Sequence, residues 1–410
     1  GLTMGTIHRA LYNTLAIEPG KRLFVEGAST GTGYDCLRSA LSSSCRALGM
    51  VSSDSRGERV EAVGGHAINR KDDRWSDIFT SVPDDPSQWE AWEAAGEAFV
   101  AEAEALAGGQ IDYSVSHAGE TAFPRSFQLL GENGVLTFYG ASSGYRFTFM
   151  GKSGATTPAV QFSKAGLRAG QSLLVVYGPG AEDGIVDPVA IEAIEVGCQR
   201  GAQVAVLVDT VSQREFVSSL GFGTQMKGAV SIEEIERRLG DDFDPPGPFQ
   251  KMPNPFTESA AFKESVRAFS DRTLKPIGSA IAPLLRNTLD KRGLPDVVFE
   301  RAGRDGLALA TSLVKPNVGK VVYSEDLKGA RFSFYAPQVW MRQRRILMPT
   351  AEIRGTHLNT SREFAEMQER IAAGHINILP PTIIPMEDVP QAHQAMWENR
   401  HAGANYVALH

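Results

Sequence analysis

The residues best suited to chemistry lie near the start of the chain, in Lys21 to Gly33, KRLFVEGASTGTG. Glycines at 27, 31 and 33 follow the apolar run Leu23, Phe24 and Val25. Tyr34, Leu37, Leu41, Cys45 and Leu48 then recur at helical spacing. A strand, a glycine turn and a helix N-terminus together make an anion cradle. A pyrophosphate there touches backbone amides directly, and any Cβ would hold it away from the positive end of the helix. Without a ligand, the same pattern is a plain strand–helix turn. A second chemical cluster follows. The place that reads an adenosine ribose lies about 20 residues beyond the last glycine, and here it falls on Ser53. Ser52, Ser53, Arg56 and Arg59 offer hydroxyls and guanidinium forks in place of a carboxylate. That set suits a 2′-phosphate, hence NADP(H) over NAD(H), or else forms a solvated polar turn.

These residues need a scaffold, and the sequence carries it twice. The approach, strand and glycine turn of Ile17–Gly31 return at Leu167–Gly180. Val204–Asp209 repeats the second strand, predicted over Leu48–Ser53. Asp296–Gly303 (DVVFERAG) mirrors Asp112–Gly119 (DYSVSHAG), Lys320–Tyr323 mirrors Val135–Tyr139, and ARFSF at 330–334 matches YRFTF at 145–149. The chain therefore reads as α/β, with duplicated Rossmann-like nucleotide-binding units built on parallel sheets. The copies differ chemically. Glu182 and Asp183 stand where phosphates would lie in the second, and like charge there is unfavourable. Its second strand ends in Asp209, suited to a plain ribose hydroxyl if to anything. The first copy is expected to bind the cofactor and the second to be structural.

The other elements fill in between. Residues 3–15 predict an amphipathic helix presenting Ile7, Leu11 and Leu15. An acidic helical segment over 84–106 presents Trp89, Trp92 and Phe99 to a core. A helix is expected over Pro124–Leu130, and residues 240–257, dense in proline, read as a surface excursion within the second copy. Helices over Glu258–Phe269 and Gly278–Arg292 follow. A closing strand and helix over 341–382 and a last segment over 383–410 complete the chain. A helix feeding a nucleotide-binding strand this abruptly implies further parts of a larger polypeptide upstream.

At 410 residues, with 42% hydrophobic and 22% charged residues, the composition is that of a globular protein of two or three domains. No apolar run approaches the roughly 20 residues of a membrane helix, and no signal-peptide pattern opens the chain, so the expected location is the cytoplasm. The net charge of −7 argues against nucleic acid. Cys36, Cys45 and Cys198 lie far apart with no CxxC spacing, which reads as core thiols and not a metal site.

At SHAGETAFPRS, FYGASSGYRFTF, VWMRQRRI and IRGTHLN the chain resembles the medium-chain dehydrogenase/reductase superfamily on its crotonyl-CoA carboxylase/reductase branch, most of all the acrylyl-CoA reductase parts of trifunctional propionyl-CoA synthases. The resemblance implies a GroES-like catalytic domain, of which only the first helix and the returning Ile383–Leu409 segment would remain here. It also implies NADPH-dependent reduction of a short 2-enoyl-CoA, within a multifunctional enzyme and in a homodimer. Ser29, Thr30, Gly31 and Gly33 would hold the pyrophosphate, Thr30 standing where the family places glycine. Ser53 and Arg56 would take the 2′-phosphate, and His117, Ala118 and Gly119 would approach the nicotinamide. Arg342, Arg344 and Arg345 would meet the phosphates of CoA, and His357 would lie at the catalytic centre. Alternatives are a related quinone or enone reductase and a non-catalytic assembly unit.

Overall fold

The structure, a computed structural model, describes residues 2–29, 31–177, 187–247, 253–255, 257–286, 290–301, 306–376, 382–398 and 405–407. Short β-rich apolar runs make the strands. In the first unit these are β1 Arg22–Val25, β2 Arg46–Val51, β3 His66–Asn69, β4 Ile111–Ser116 and β5 Leu130–Phe138. Then come β6 Arg146–Met150, β7 Ser172–Val176, β8 Gln203–Val208, β9 Met226–Ser231, β10 Val297–Glu300 and β11 Lys320–Val322. The last are β12 Arg331–Tyr335, β13 Arg345–Leu347 and β14 Ala351–Gly355.

Two duplicated units on parallel sheets were expected. They are fused into one sheet of twelve strands, in the order β3-β2-β1-β4-β5-β14-β13-β11-β10-β7-β8-β9. Within each half the pairings are parallel, and only β13 and β14 meet antiparallel, Ile346 opposite Ile353. The two halves therefore run in opposite directions, so their carboxyl ends open on opposite edges of the sheet. The copies are related by a pseudo-twofold axis between β13 and β14. The same axis pairs β6 with β12 antiparallel, Phe149 opposite Phe332 with their rings stacked at 5.2 Å. The two matching arginines, Arg146 and Arg331, both reach one carboxylate, Asp84, at 2.8 and 2.6 Å.

The duplication is maintained in register. Asp112 accepts from the Arg22 amide at 2.9 Å and Asp296 from the Ser172 amide at 2.8 Å, pinning β1 and β7 alike. Arg22 pairs with Arg46, and Ser172 with Gln203. Local boundaries shift from the sequence expectation. The first glycine-turn helix, α2 (Gly31–Ser42), stops short of Cys45 and Leu48, and Leu48 lies in β2, because a helix with Ser42–Ser43–Ser44 at its end gives way to a buried strand. The second strand correspondingly starts earlier and ends at Val51. The helix expected over Pro124–Leu130 spans Phe123–Gln128, and β5 takes Leu130.

Upstream, α1 (Leu2–His8) continues as a π-helix over Arg9–Leu15, burying Met4, Ile7, Leu11 and Leu15 against the first unit. The acidic segment divides into helices Trp89–Ala95 and Glu97–Ala107. Ser259–Ala268, a π-turn over Phe269–Leu274 and Lys275–Leu285 run on continuously. Near the end, Thr382–Ile384 pairs parallel with Asn405–Val407. Cys36 and Cys45 are buried free thiols and Cys198 is half-buried. Burial pushes the Cys45 thiol up to about 11. Among the described residues no helix is long and apolar enough to cross a membrane.

Candidate functional site

In a parallel sheet of this order, ligands bind at the carboxyl edge where the winding reverses, here between β1 and β4. The glycine turn leaves β1 there. Gly27 has φ +58°, and a Cβ on it would lie 2.9 Å from the His117 ring. Gly33 packs α2 (Gly31–Ser42) onto the turn, since a Cβ would lie 2.4 Å from the Gly27 carbonyl oxygen and 2.6 Å from that of Glu26. Gly31 has φ +51° and open space beside it. The first-turn amides of a helix have no partner within that helix, and this mouth is open toward them. The residues thus fit a pyrophosphate. Ser29 is buried beside the turn, and Thr30 lies outside the described residues.

Beyond β2, Ser53 is the N-cap of α3 (Asp54–Glu61), its side chain making no cap hydrogen bond. The Ser53 and Ser55 hydroxyls lie 3.1 Å apart, and Arg56 Nη1 donates to Ser52 Oγ at 3.2 Å. Arg59 and Arg38 flank the Tyr34 ring at 5.5 and 6.0 Å. The carboxylate nearest in sequence, Asp54, is drawn off toward β3 by the Asn69 amide at 2.9 Å. Ser52 and Ser53 with Arg56 beside them make a set that suits a phosphate ester on the ribose.

A residue that sequence reasoning missed organises the loop after β4. Glu26 follows β1 and is fully buried. Its Oε2 accepts from the His117 and Ala118 amides at 2.9 and 2.8 Å, and Oε1 accepts from the Ser126 hydroxyl. One carboxylate thus fixes the loop after β4 to the end of β1. Gly119, at φ +104°, closes against Ser143, whose amide donates to the Ala118 carbonyl at 2.9 Å. The His117 ring lies 5.7 Å from the Tyr139 ring. The Tyr139 hydroxyl is buried without a hydrogen-bond partner, and burial pushes its pKa well above the usual phenol value. A charged residue between an apolar strand and a glycine turn was the available signal for Glu26.

His357 stands just past β14, on the same edge and two strands from β4, roughly 10 Å away at the usual strand spacing. Burial and the nearby Arg9 hold its imidazole below the ordinary value. Gln343 donates from Nε2 to the His357 carbonyl at 3.2 Å, and Arg9 in turn bonds Gln343 and Glu363. The antiparallel step from β13 to β14 brings the 341–345 turn to this edge. The three arginines do not face outward together. Arg342 is exposed. Arg344 is 4% exposed, its guanidinium hydrogen-bonded to the carbonyls of Gln338 and Ser312 at 3.0 and 3.2 Å. Burial pulls its pKa down to about 9. Arg345 is held by Glu352 across the pseudo-twofold axis.

In the second unit, Glu182 and Asp183 lie outside the described residues. Asp187 caps the helix Pro188–Gln199, accepting from the Val189 amide at 2.7 Å, and pairs with Arg301. A carboxylate thus sits at the helix start that a phosphate would need.

The family described as zinc-binding dehydrogenases matches residues 286–404. Crotonyl-CoA carboxylase/reductase of Cereibacter sphaeroides is 26% identical over 161 residues, 36% of this chain and 35% of that protein. Crotonyl-CoA reductase of Streptomyces avermitilis is 26% identical over 151 residues, 35% of this chain and 32% of that protein. A solved crotonyl-CoA carboxylase/reductase aligns over 100% of this chain and 51% of its own, at 15% identity and a TM-score of 0.44. The chain thus matches about a third of the length of these two curated relatives and is similar to the branch that its motifs resemble. No three His, Cys, Asp or Glu side chains converge among the described residues, so these offer no donor set for zinc.

Proposed function

We propose that this chain is the NADPH-binding part of a reductase acting on a short 2-enoyl-CoA, acrylyl-CoA by the motif resemblance, within a larger multifunctional enzyme. The observation that carries the reading is the pair of features on one edge of the first unit. An open glycine cradle at the start of α2 lies beside Ser52, Ser53 and Arg56, with Asp54 turned away. NADPH, when bound, supplies the hydride. The chain's own residues hold and aim it. Gly31 and Gly33 let the pyrophosphate reach backbone amides, and Ser53 with Arg56 receives the 2′-phosphate. Glu26 fixes the amides of His117 and Ala118, so that the loop over the nicotinamide place cannot drift. His357 is a residue of this edge suited to hold a proton, and Arg342 is the exposed arginine of its turn, open to a CoA phosphate.

Reduction of a free enone or quinone is the second reading. It is favoured by the engagement of Arg344 and Arg345 inside the fold, which leaves less positive charge for CoA. Titration of NADPH fluorescence, followed by oxidation assays with acrylyl-CoA, crotonyl-CoA and a free enone, separates the two. Saturable NADPH binding at micromolar cofactor and turnover of the CoA esters alone are expected. Arg56→Ala should weaken NADPH by about tenfold or more, one charge-assisted contact, and leave NADH unchanged. Absence of NADPH binding, or equal weakening for both cofactors, would sink the cofactor assignment, and turnover of the enone alone would sink the CoA one.

A further inference from the structure

The second unit carries a cavity of about 550 Å³, within the roughly 300–1,000 Å³ of small-molecule sites. It opens on the sheet edge opposite the first site, because the two halves run antiparallel. Register identifies its place. Six residues beyond Arg46, where β2 meets the start of β1, stands Ser52. Six beyond Gln203, the matching start of β8, stands Asp209. Each precedes the N-cap of the next helix, Ser53 and Thr210. Asp209 therefore stands one place before the counterpart of Ser53, at the strand end that faces an adenosine ribose in such units.

The lining is apolar below and acidic at the rim. Val176, Leu207, Ile232 and Leu309 form the floor, and Pro245 and Pro246 of the proline-rich excursion form a wall. Glu233 is already engaged, by the Val211 amide at 2.8 Å and by Arg237 at 2.6 Å. Asp209 is different. Its Oδ2 is buried with no hydrogen-bond partner, while its amide and carbonyl are taken by Gln213 and Glu233. A buried acceptor left unmet carries a desolvation penalty that a ligand hydroxyl relieves. Among the described residues neither helix start is free for a phosphate. Asp187 occupies the start of the helix Pro188–Gln199, and Thr210 with Gln213 forms a capping box on the helix Val211–Ser219.

The geometry points to a second ligand site, in which this cavity takes a purine nucleoside whose ribose hydroxyls are unesterified, Asp209 accepting from the 2′,3′-diol and the apolar floor receiving the base. It stands on the register and the cavity, independently of cofactor binding in the first unit. The two units then hold opposite ribose chemistries, serine and arginine in one and a carboxylate with an unpartnered oxygen in the other.

Calorimetric titration of the whole chain with adenosine, 2′-deoxyadenosine and 2′-AMP, in the presence of excess NADP⁺ to fill the first unit, tests this. Adenosine should bind saturably, and 2′-deoxyadenosine at least about tenfold more weakly, the loss of a hydrogen bond to a charged group. No heat is expected from 2′-AMP. Asp209→Asn should weaken adenosine by a similar factor. Gly247→Trp, at a lining position with open space around it, should block the mouth without disturbing the core, so it keeps the test intact should Asp209→Asn misfold. No saturable adenosine binding, equal binding of adenosine and 2′-deoxyadenosine, or adenosine binding that survives Gly247→Trp unchanged would overturn the assignment.

Discussion

Asp209 also makes a prediction about stability that needs no ligand. Burial raises its carboxyl from 3.8 to about 6. At about 1.36 kcal/mol per unit that rise corresponds to roughly 3 kcal/mol, which solvent entering from the cavity screens to about 1–2 kcal/mol. A raised carboxyl means that the folded state holds its proton more tightly than the unfolded chain. The folded state is therefore penalised as pH climbs from 3.8 through about 6, and the penalty is complete above that window. Asp209→Asn, which never ionises, should be more stable than the parent by about 1–2 kcal/mol at about pH 8. The advantage should vanish near pH 4. Urea midpoints of both proteins at the two pH values measure it, with the slope compared to confirm that the unfolding reaction is the same. An advantage of equal size at both pH values, or none at pH 8, would refute the argument that this carboxylate is buried without compensation. The same substitution that stabilises the protein should cost nucleoside affinity, the trade expected where a destabilised group serves a site.

Gly33→Ala should lose about 1–3 kcal/mol of stability by overpacking, since its Cβ would lie 2.4 Å from a backbone oxygen that cannot swing aside; it should also weaken NADPH, read by fluorescence titration. His8 is buried with both ring nitrogens unpartnered, and burial followed by the Arg370 charge holds it below the ordinary 6.5. Its contribution is present above 6.5 and is lost as pH falls below that value, because the unfolded chain takes up a proton that the folded one resists. His8→Phe, which keeps a ring against Tyr12, should therefore show a shallower loss of stability on acidification, followed by thermal unfolding between about pH 7 and pH 5.

Much of this architecture was legible one segment at a time. The glycine turn, the serine and arginine cluster and the repeated strands are local patterns, and local patterns fix strands, turns and helix starts. Asp112 and Asp296 could be matched by eye, and both anchor the strand beside them. Boundaries slipped where propensity and burial disagreed, as at Cys45 and Leu48, which kept the apolar spacing of a helix but were taken by a turn and a strand. Glu26 was passed over because a single carboxylate shows nothing of the amides it will meet. The arginines of 342–345 were read as one charged run, yet burial turned Arg344 inward to carbonyls from other segments.

The sequence by itself determined two Rossmann-like units of unequal residue chemistry, since residue type and spacing along one stretch settle what a strand end presents. Only the tertiary structure decided how they face. The antiparallel meeting of β13 and β14 joins the halves into one sheet and sends their carboxyl ends to opposite edges. It carries the 341–345 turn to His357, and packing brings the proline-rich excursion against Asp209. These outcomes depend on backbone pairing and packing between residues far apart in the chain. Their energy comes from hydrogen bonds and burial that no single segment contains.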